Sequence, residues 1–209
     1  MSTKSNTNGV MDMLIAMMLS GTLGVFVLES GQNSFNVVFY RCLFGALALG
    51  AFCYYRGLLK PEFFSRRNVL ITLLGGVCLV FNWVFLFKSF SLTSITIATV
   101  IYHTQPFFVL LLSAVLFRSA INRHQLLWVL LAFIGLLLVM DLDLDVLASS
   151  SGYLAGVGFA LAAAVLYAIL TLATKQIKDQ PPQLTALMQV TLGIFLLLPF
   201  ATLEDVPDI

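Results

Sequence analysis

Residues 92–117 read LTSITIATVIYHTQPFFVLLLSAVLF, a run with no formally charged side chain, interrupted near its centre by Tyr102, His103, Thr104, Gln105 and Pro106. A hydrocarbon core of about 30 Å needs roughly 20 apolar residues of helix to cross it. This run is long enough, and a proline in its middle breaks a helix rather than a strand, because the ring removes an N–H and clashes one turn back. Non-helical backbone at such depth persists only beside protein or water. The run therefore predicts a kinked membrane helix with a polar patch at mid-depth.

Working outward, six more apolar blocks appear, and the seven expected spans are 11–29, 35–55, 68–87, 92–117, 124–140, 152–173 and 184–203. The whole chain is 60% hydrophobic and only 10% charged, against roughly 25% charged in soluble domains. That composition predicts an all-α integral membrane protein of about seven transmembrane helices. The net charge of +1, scattered between the blocks, argues against a nucleic-acid partner. Cys42, Cys53 and Cys78 sit inside apolar blocks and read as small buried hydrophobes. The block at 13–28 has no small-residue cleavage site after it and reads as an uncleaved first span.

Orientation follows from Lys and Arg. With the N-terminus in the cytoplasm, inner segments hold Lys4, Arg56, Lys60, Arg66, Arg67, Arg118, Arg123, Lys175 and Lys178, which is nine of the eleven basic residues. That asymmetry predicts a multi-pass protein of the cell membrane, inner or plasma, with a cytoplasmic N-terminus and an external C-terminus. Lys88 marks the outer end of the third span, and Trp128 an interfacial position near the inner start of the fifth.

Small residues recur every four positions in the sixth span, at Gly152, Gly156, Ala160, Ala164 and Ala168, and in the first at Ala16, Ser20 and Gly24. Such stripes let helices approach closely. A shift of 144 residues superposes the two. The sixth span comes five after the first, an odd offset, so the second copy would enter the membrane inverted, an arrangement used by secondary transporters.

Polar groups deep in a span are functional candidates by default. Tyr102, His103, Thr104, Gln105 and Pro106 are expected to line a substrate cavity; the alternative is an ordinary packing kink. His103, with an unperturbed pKa near 6.5, is open either to proton coupling or to neutral hydrogen bonding. Arg41 either snorkels to the outer interface or faces the cavity and pairs with a carboxylate, of substrate or of Glu29. Asn82 either bonds substrate or joins helices, Trp83 either stacks on a ligand or anchors at the interface, and Tyr167 either lines the cavity or packs. No cofactor and no metal site is expected.

The order of these features resembles the drug/metabolite transporter superfamily, specifically its EamA-type members. The resemblance rests on FNVVFYRCLFGALAL (35–49) with its Arg, FKSFSLTSITIATVIYHTQPFFVLLLSAVLF (87–117) with its mid-span Pro, HQLLWVLLAFIGLLLVM (124–140), and SGYLAGVGFALAAAVLYAILTLATKQ (151–176). It implies two inverted five-helix repeats, a first over 1–141 and an incomplete second over 152–209, where ten spans are usual. Ser119 stands where the family often has Glu. A truncated chain is the expectation this raises. The resemblance implies export of small metabolites, such as amino acids or related compounds, by alternating access. Its partners would be the lipid bilayer and a small-molecule substrate, with a homodimer left open. The other reading is a membrane scaffold or assembly subunit, or a fragment that does not transport. A retinal protein is excluded because the last span has no Lys, and an intramembrane enzyme is disfavoured because HExxH, GxSxG and paired intramembrane carboxylates do not occur.

Overall fold

The computed structural model describes residues 24–118, 123–139 and 151–201, with positions 11, 13–15, 17, 18 and 22 ahead of them. Ala16 and Ser20 of the first small-residue stripe, Ser119 and the 141–150 segment lie outside the described residues. Helical backbone through 24–29 leads into α1 (Ser34–Tyr55), then α2 (Arg66–Leu92), α3 (Ile95–Tyr102), α4 (Gln105–Phe117), α5 (Arg123–Val139), α6 (Ser151–Thr174) and α7 (Pro182–Leu197). Single 3-10 turns occupy Pro61–Phe63 and Leu198–Phe200. Counting α3 and α4 as one interrupted span, five helices are long and apolar enough to cross a membrane, and Arg123–Gly135 is a shorter apolar helix. The protein is an all-α, multi-pass membrane protein.

Local chemistry sets the helix boundaries. The Asn33 side chain accepts from the Phe35 N–H to start α1, and the Ser65 hydroxyl accepts from the Asn68 N–H to start α2, each satisfying a donor with no intrahelical partner. Gly57, at φ +63°, ends α1 in the left-handed conformation, and the Leu58 N–H reaches back to the Cys53 carbonyl at 2.9 Å, a Schellman closure that favours glycine. Thr93 and Ser94 alone separate α2 from α3, with the Ser94 hydroxyl capping the Ile97 N–H at 3.2 Å.

Close helix approach does most of the assembly. Gly156 is buried where α6 crosses the end of α2, and the Ser89 hydroxyl donates to the Gly156 carbonyl at 2.8 Å. Seven residues back along α2 and seven forward along α6, the Asn82 amide donates to the Ala163 carbonyl at 2.7 Å. This constant register makes α2 and α6 antiparallel. Ala160, Ala163, Ala164 and Ala168 are all fully buried, so the expected small-residue stripe of α6 is an interhelical surface from Gly156 onward, while Gly152 at its start is exposed. Gly193 of α7 sits against Cys42 of α1 and Val80 of α2, and Gly76 of α2 against Gln189 and Leu192 of α7. Helix α7 thus runs parallel to α2 and antiparallel to α1. The buried core lies among α1, α2, α3 and α7, around Val38, Phe39, Cys42, Val80, Val84 and Val190.

Candidate functional site

The fourth apolar block is broken where its proline stands. Tyr102 ends α3, His103 and Thr104 form a turn, and α4 restarts at Gln105 with Pro106 in its first turn, the position where a missing N–H costs least. Two side chains satisfy carbonyls of the interrupted helix. Thr104 Oγ1 donates to the Ile101 carbonyl at 2.6 Å, and His103 Nδ1 lies 2.6 Å from the Thr99 carbonyl. A carbonyl only accepts, so Nδ1 carries the proton in that contact and Nε2 is the remaining acceptor of a neutral ring.

The five consecutive residues do not share one direction, because successive helical positions turn by about 100°. Tyr102 faces α2 and α6. Its hydroxyl is paired with the Asn82 carboxamide at 3.3–3.4 Å, and its ring meets Tyr167 edge to face with centroids 5.9 Å apart. Asn82 is fully buried, so one side chain links α2 to α6 and to the end of α3. The Arg41 guanidinium lies over the Trp83 ring, 4.1 Å from its centroid, close enough to the Tyr102 hydroxyl for the two to interact electrostatically. The structure therefore brings Arg41, Asn82, Trp83, Tyr102 and Tyr167 into one polar and aromatic layer.

His103, Gln105 and Pro106 face α5 instead. Gln105 and Pro106 line a cleft of about 480 Å³ with Val109, Gln125, Trp128 and Tyr167. His103 and Pro106 line an adjoining cleft of about 310 Å³ with Trp128, Val129 and Phe133. The Gln105 carboxamide oxygen is buried and lacks a hydrogen-bond partner, an acceptor open to a donor from a bound molecule or water. A third cleft, about 490 Å³, runs along α6 from Tyr167 past Thr171 and Thr174 to Lys175, with Gln189 of α7 opposite. Tyr167 borders both the first and the third.

Three lining residues escaped the sequence reading. Trp128 reads as an interfacial anchor because it is close to a charged segment, yet it borders both α5 clefts. Gln125, just inside the expected fifth span, is exposed at the head of α5 and lines the first cleft. Gln189 was legible as a lone polar residue deep in the last apolar block; it is 6% exposed and its amide nitrogen lacks a partner. No group of three or more potential metal ligands occurs among the described residues.

Comparison with known proteins agrees with this architecture. The model of the EamA-like transporter family matches residues 7–141. An uncharacterized transporter of Bacillus subtilis, YxxF, is 40% identical over 202 residues, covering 95% of this chain and 64% of its own length. An uncharacterized transporter of Haemophilus influenzae is 24% identical over 199 residues, covering 94% of this chain and 65% of its own. The chain thus spans just under two thirds of the length of these curated relatives. No solved structure matches. The chain belongs to the EamA-like transporter family.

Proposed function

We propose that this chain takes part in the transport, in the export direction, of small metabolites such as amino acids or related compounds, by alternating access around the layer of Tyr102, Asn82 and Tyr167. The observation that carries the reading is the helix interruption at His103–Thr104, set beside clefts on both sides of Tyr167. Broken helices at a shared depth are how transporters expose binding groups without exposing backbone to lipid. The antiparallel contact of α1 with α7 supports two inverted repeats, one over 1–141 and one beginning at 152, since a two-fold axis in the membrane plane would pair those equivalent helices face to face. The basic residues support a cytoplasmic N-terminus in the cell membrane. In this reading Gln105 and Tyr167 contact substrate, while His103, held by Nδ1 to the Thr99 carbonyl and bordering its cleft, carries a proton in coupled transport.

Cells making the chain, loaded with individual amino acids, test the reading by the rate at which each appears in the medium. Faster export than from vector-only cells is expected. Gln105→Leu should slow it and His103→Gln should alter its pH dependence, with membrane abundance unchanged. Export by these variants at the parental rate and pH profile would remove both residues from the site.

A further inference from the structure

We propose that the transported molecule is recognised through a carboxylate, and that Arg41 is the residue that reads it. This rests on the transport reading above and adds the substrate's chemical class.

The first argument is where the charge sits. Arg41 is the eighth residue of α1, about 10 Å along the axis from Ser34. Trp83 stands nine residues short of the end of α2, about 13 Å in from Leu92. A snorkelling arginine would extend along its own helix to the surface. This one is laid sideways onto a ring of the neighbouring helix, 4.1 Å from the centroid.

The second argument is that no counter-ion stands against the Arg41 guanidinium among the described residues. None of the seven helices contains an Asp or a Glu. Lys60 pairs with Glu62, both largely exposed and remote in sequence from Arg41. Glu29 is exposed. A guanidinium held at this depth without an anion is costly, and its retention points to an anion that comes and goes.

The third argument is shape. Indole covers one face of the guanidinium, which leaves its edge N–H groups for a planar acceptor; a carboxylate accepts two of them in parallel. One cation in apolar surroundings balances one negative charge, and a dianion would leave an excess. The Tyr102 hydroxyl, held to Asn82 only by bonds of 3.3–3.4 Å, is a further donor in the same layer. Lys175, on the rim of the cleft that ends at Tyr167, gives that approach a positive bias as well.

The test uses the full chain, purified in detergent, and matched trios of probes built on the alanine, threonine, leucine and phenylalanine side chains: the amino acid, its 2-hydroxy acid and its amide. Binding is read by titration calorimetry. For at least one side chain the two acids should bind, with the amide ten-fold or more weaker, as expected for loss of a charge-assisted hydrogen bond. Arg41→Gln should erase the acid-over-amide ratio. Arg41→Lys, which keeps the charge and loses the fork, should retain part of it, and both variants should elute as monodisperse helical protein. The inference is overturned if the amides bind as tightly as the acids, if the ratio survives in R41Q, or if no acid binds. Flux in proteoliposomes separates the two readings. Acids that bind selectively but do not cross leave this inference standing and remove transport; acids and amides that cross equally do the reverse.

Discussion

Two glycines of α6, two residues apart, offer a controlled test of how the bundle is held together. At Gly156 an added Cβ would stand 2.6 Å from Thr93 Cγ2, 2.9 Å from Leu92 Cβ and 3.3 Å from the Leu92 backbone carbon. At Gly158 nothing lies within 4 Å. The threonine methyl can rotate away, but Leu92 Cβ is fixed to its backbone. Reaching the 3.4 Å of ordinary contact therefore moves α6 and the end of α2 apart by about 0.5 Å. That opening also stretches the 2.8 Å bond from Ser89 to the Gly156 carbonyl. Overpacking of this kind costs about 1–3 kcal/mol. Both Gly→Ala changes gain the same helix propensity, up to ~1 kcal/mol, so that contribution cancels in the difference. G156A should therefore be less stable than G158A by about 1–3 kcal/mol, with G158A at or slightly above the parent. Thermal unfolding followed by circular dichroism in one detergent measures both. A G158A protein that unfolds at or below the temperature of G156A would refute the α2–α6 register.

Other consequences are read in the same way. Gly193→Ala drives a methyl to 2.5 Å from Cys42 Sγ and 2.9 Å from Val80 Cγ2; it should destabilise by about 1–3 kcal/mol, and unchanged stability would contradict the α1–α2–α7 contact. Asn82→Leu removes the bond to the Ala163 carbonyl; the loss should be about 0.6–1.7 kcal/mol by the same measurement, and a loss several times larger would mean that Asn82 holds more than this link. Cys42 and Cys53 are fully buried and Cys78 is 6% exposed, so a thiol reagent should label the native chain slowly and all three sites quickly after denaturation; rapid native labelling would contradict the packing.

Five of the expected spans stand as membrane-length helices among the described residues, legible because a helix crossing lipid must be apolar along its whole length, and the break in the fourth was legible because Pro106 disrupts a helix interior. Boundaries were less so. Lys88 reads as the outer end of the third span, yet α2 continues a turn past it to Leu92, since a long cationic side chain near a helix end reaches water without ending the helix. The small-residue stripe of α6 marked its buried face from Gly156 on, with Gly152 exposed, and did not tell that its partner is α2. That pairing is tied by the Ser89 and Asn82 bonds to backbone carbonyls of α6; Asn82 was open to joining helices, but a carbonyl partner leaves no mark in the sequence. Five consecutive candidates, 102–106, looked like one cluster and divide between two faces of the broken helix. Asn82 and Trp83 of α2 and Arg41 of α1, distant in sequence from Tyr102, join its layer because α1, α2 and α3 bring similar depths together. That Trp128 also borders two clefts was not legible, because nearness to charged residues says little about whether an indole faces a cleft.

The alternation of helix directions underlies the register, the clefts and the transport reading alike. Single cysteines placed at positions 58, 178, 31 and 93 in a cysteine-free background, probed with a membrane-impermeant thiol reagent on intact cells, test it directly. The α1–α2 and α6–α7 connections lie at the same end, joined by the Asn68 amide bond to the Lys178 carbonyl at 2.7 Å, so positions 58 and 178 should be labelled only after permeabilisation. Positions 31 and 93 belong to the opposite end and should react without it. Labelling of 58 and 178 from different sides, or of 31 and 178 from the same side, would contradict the account.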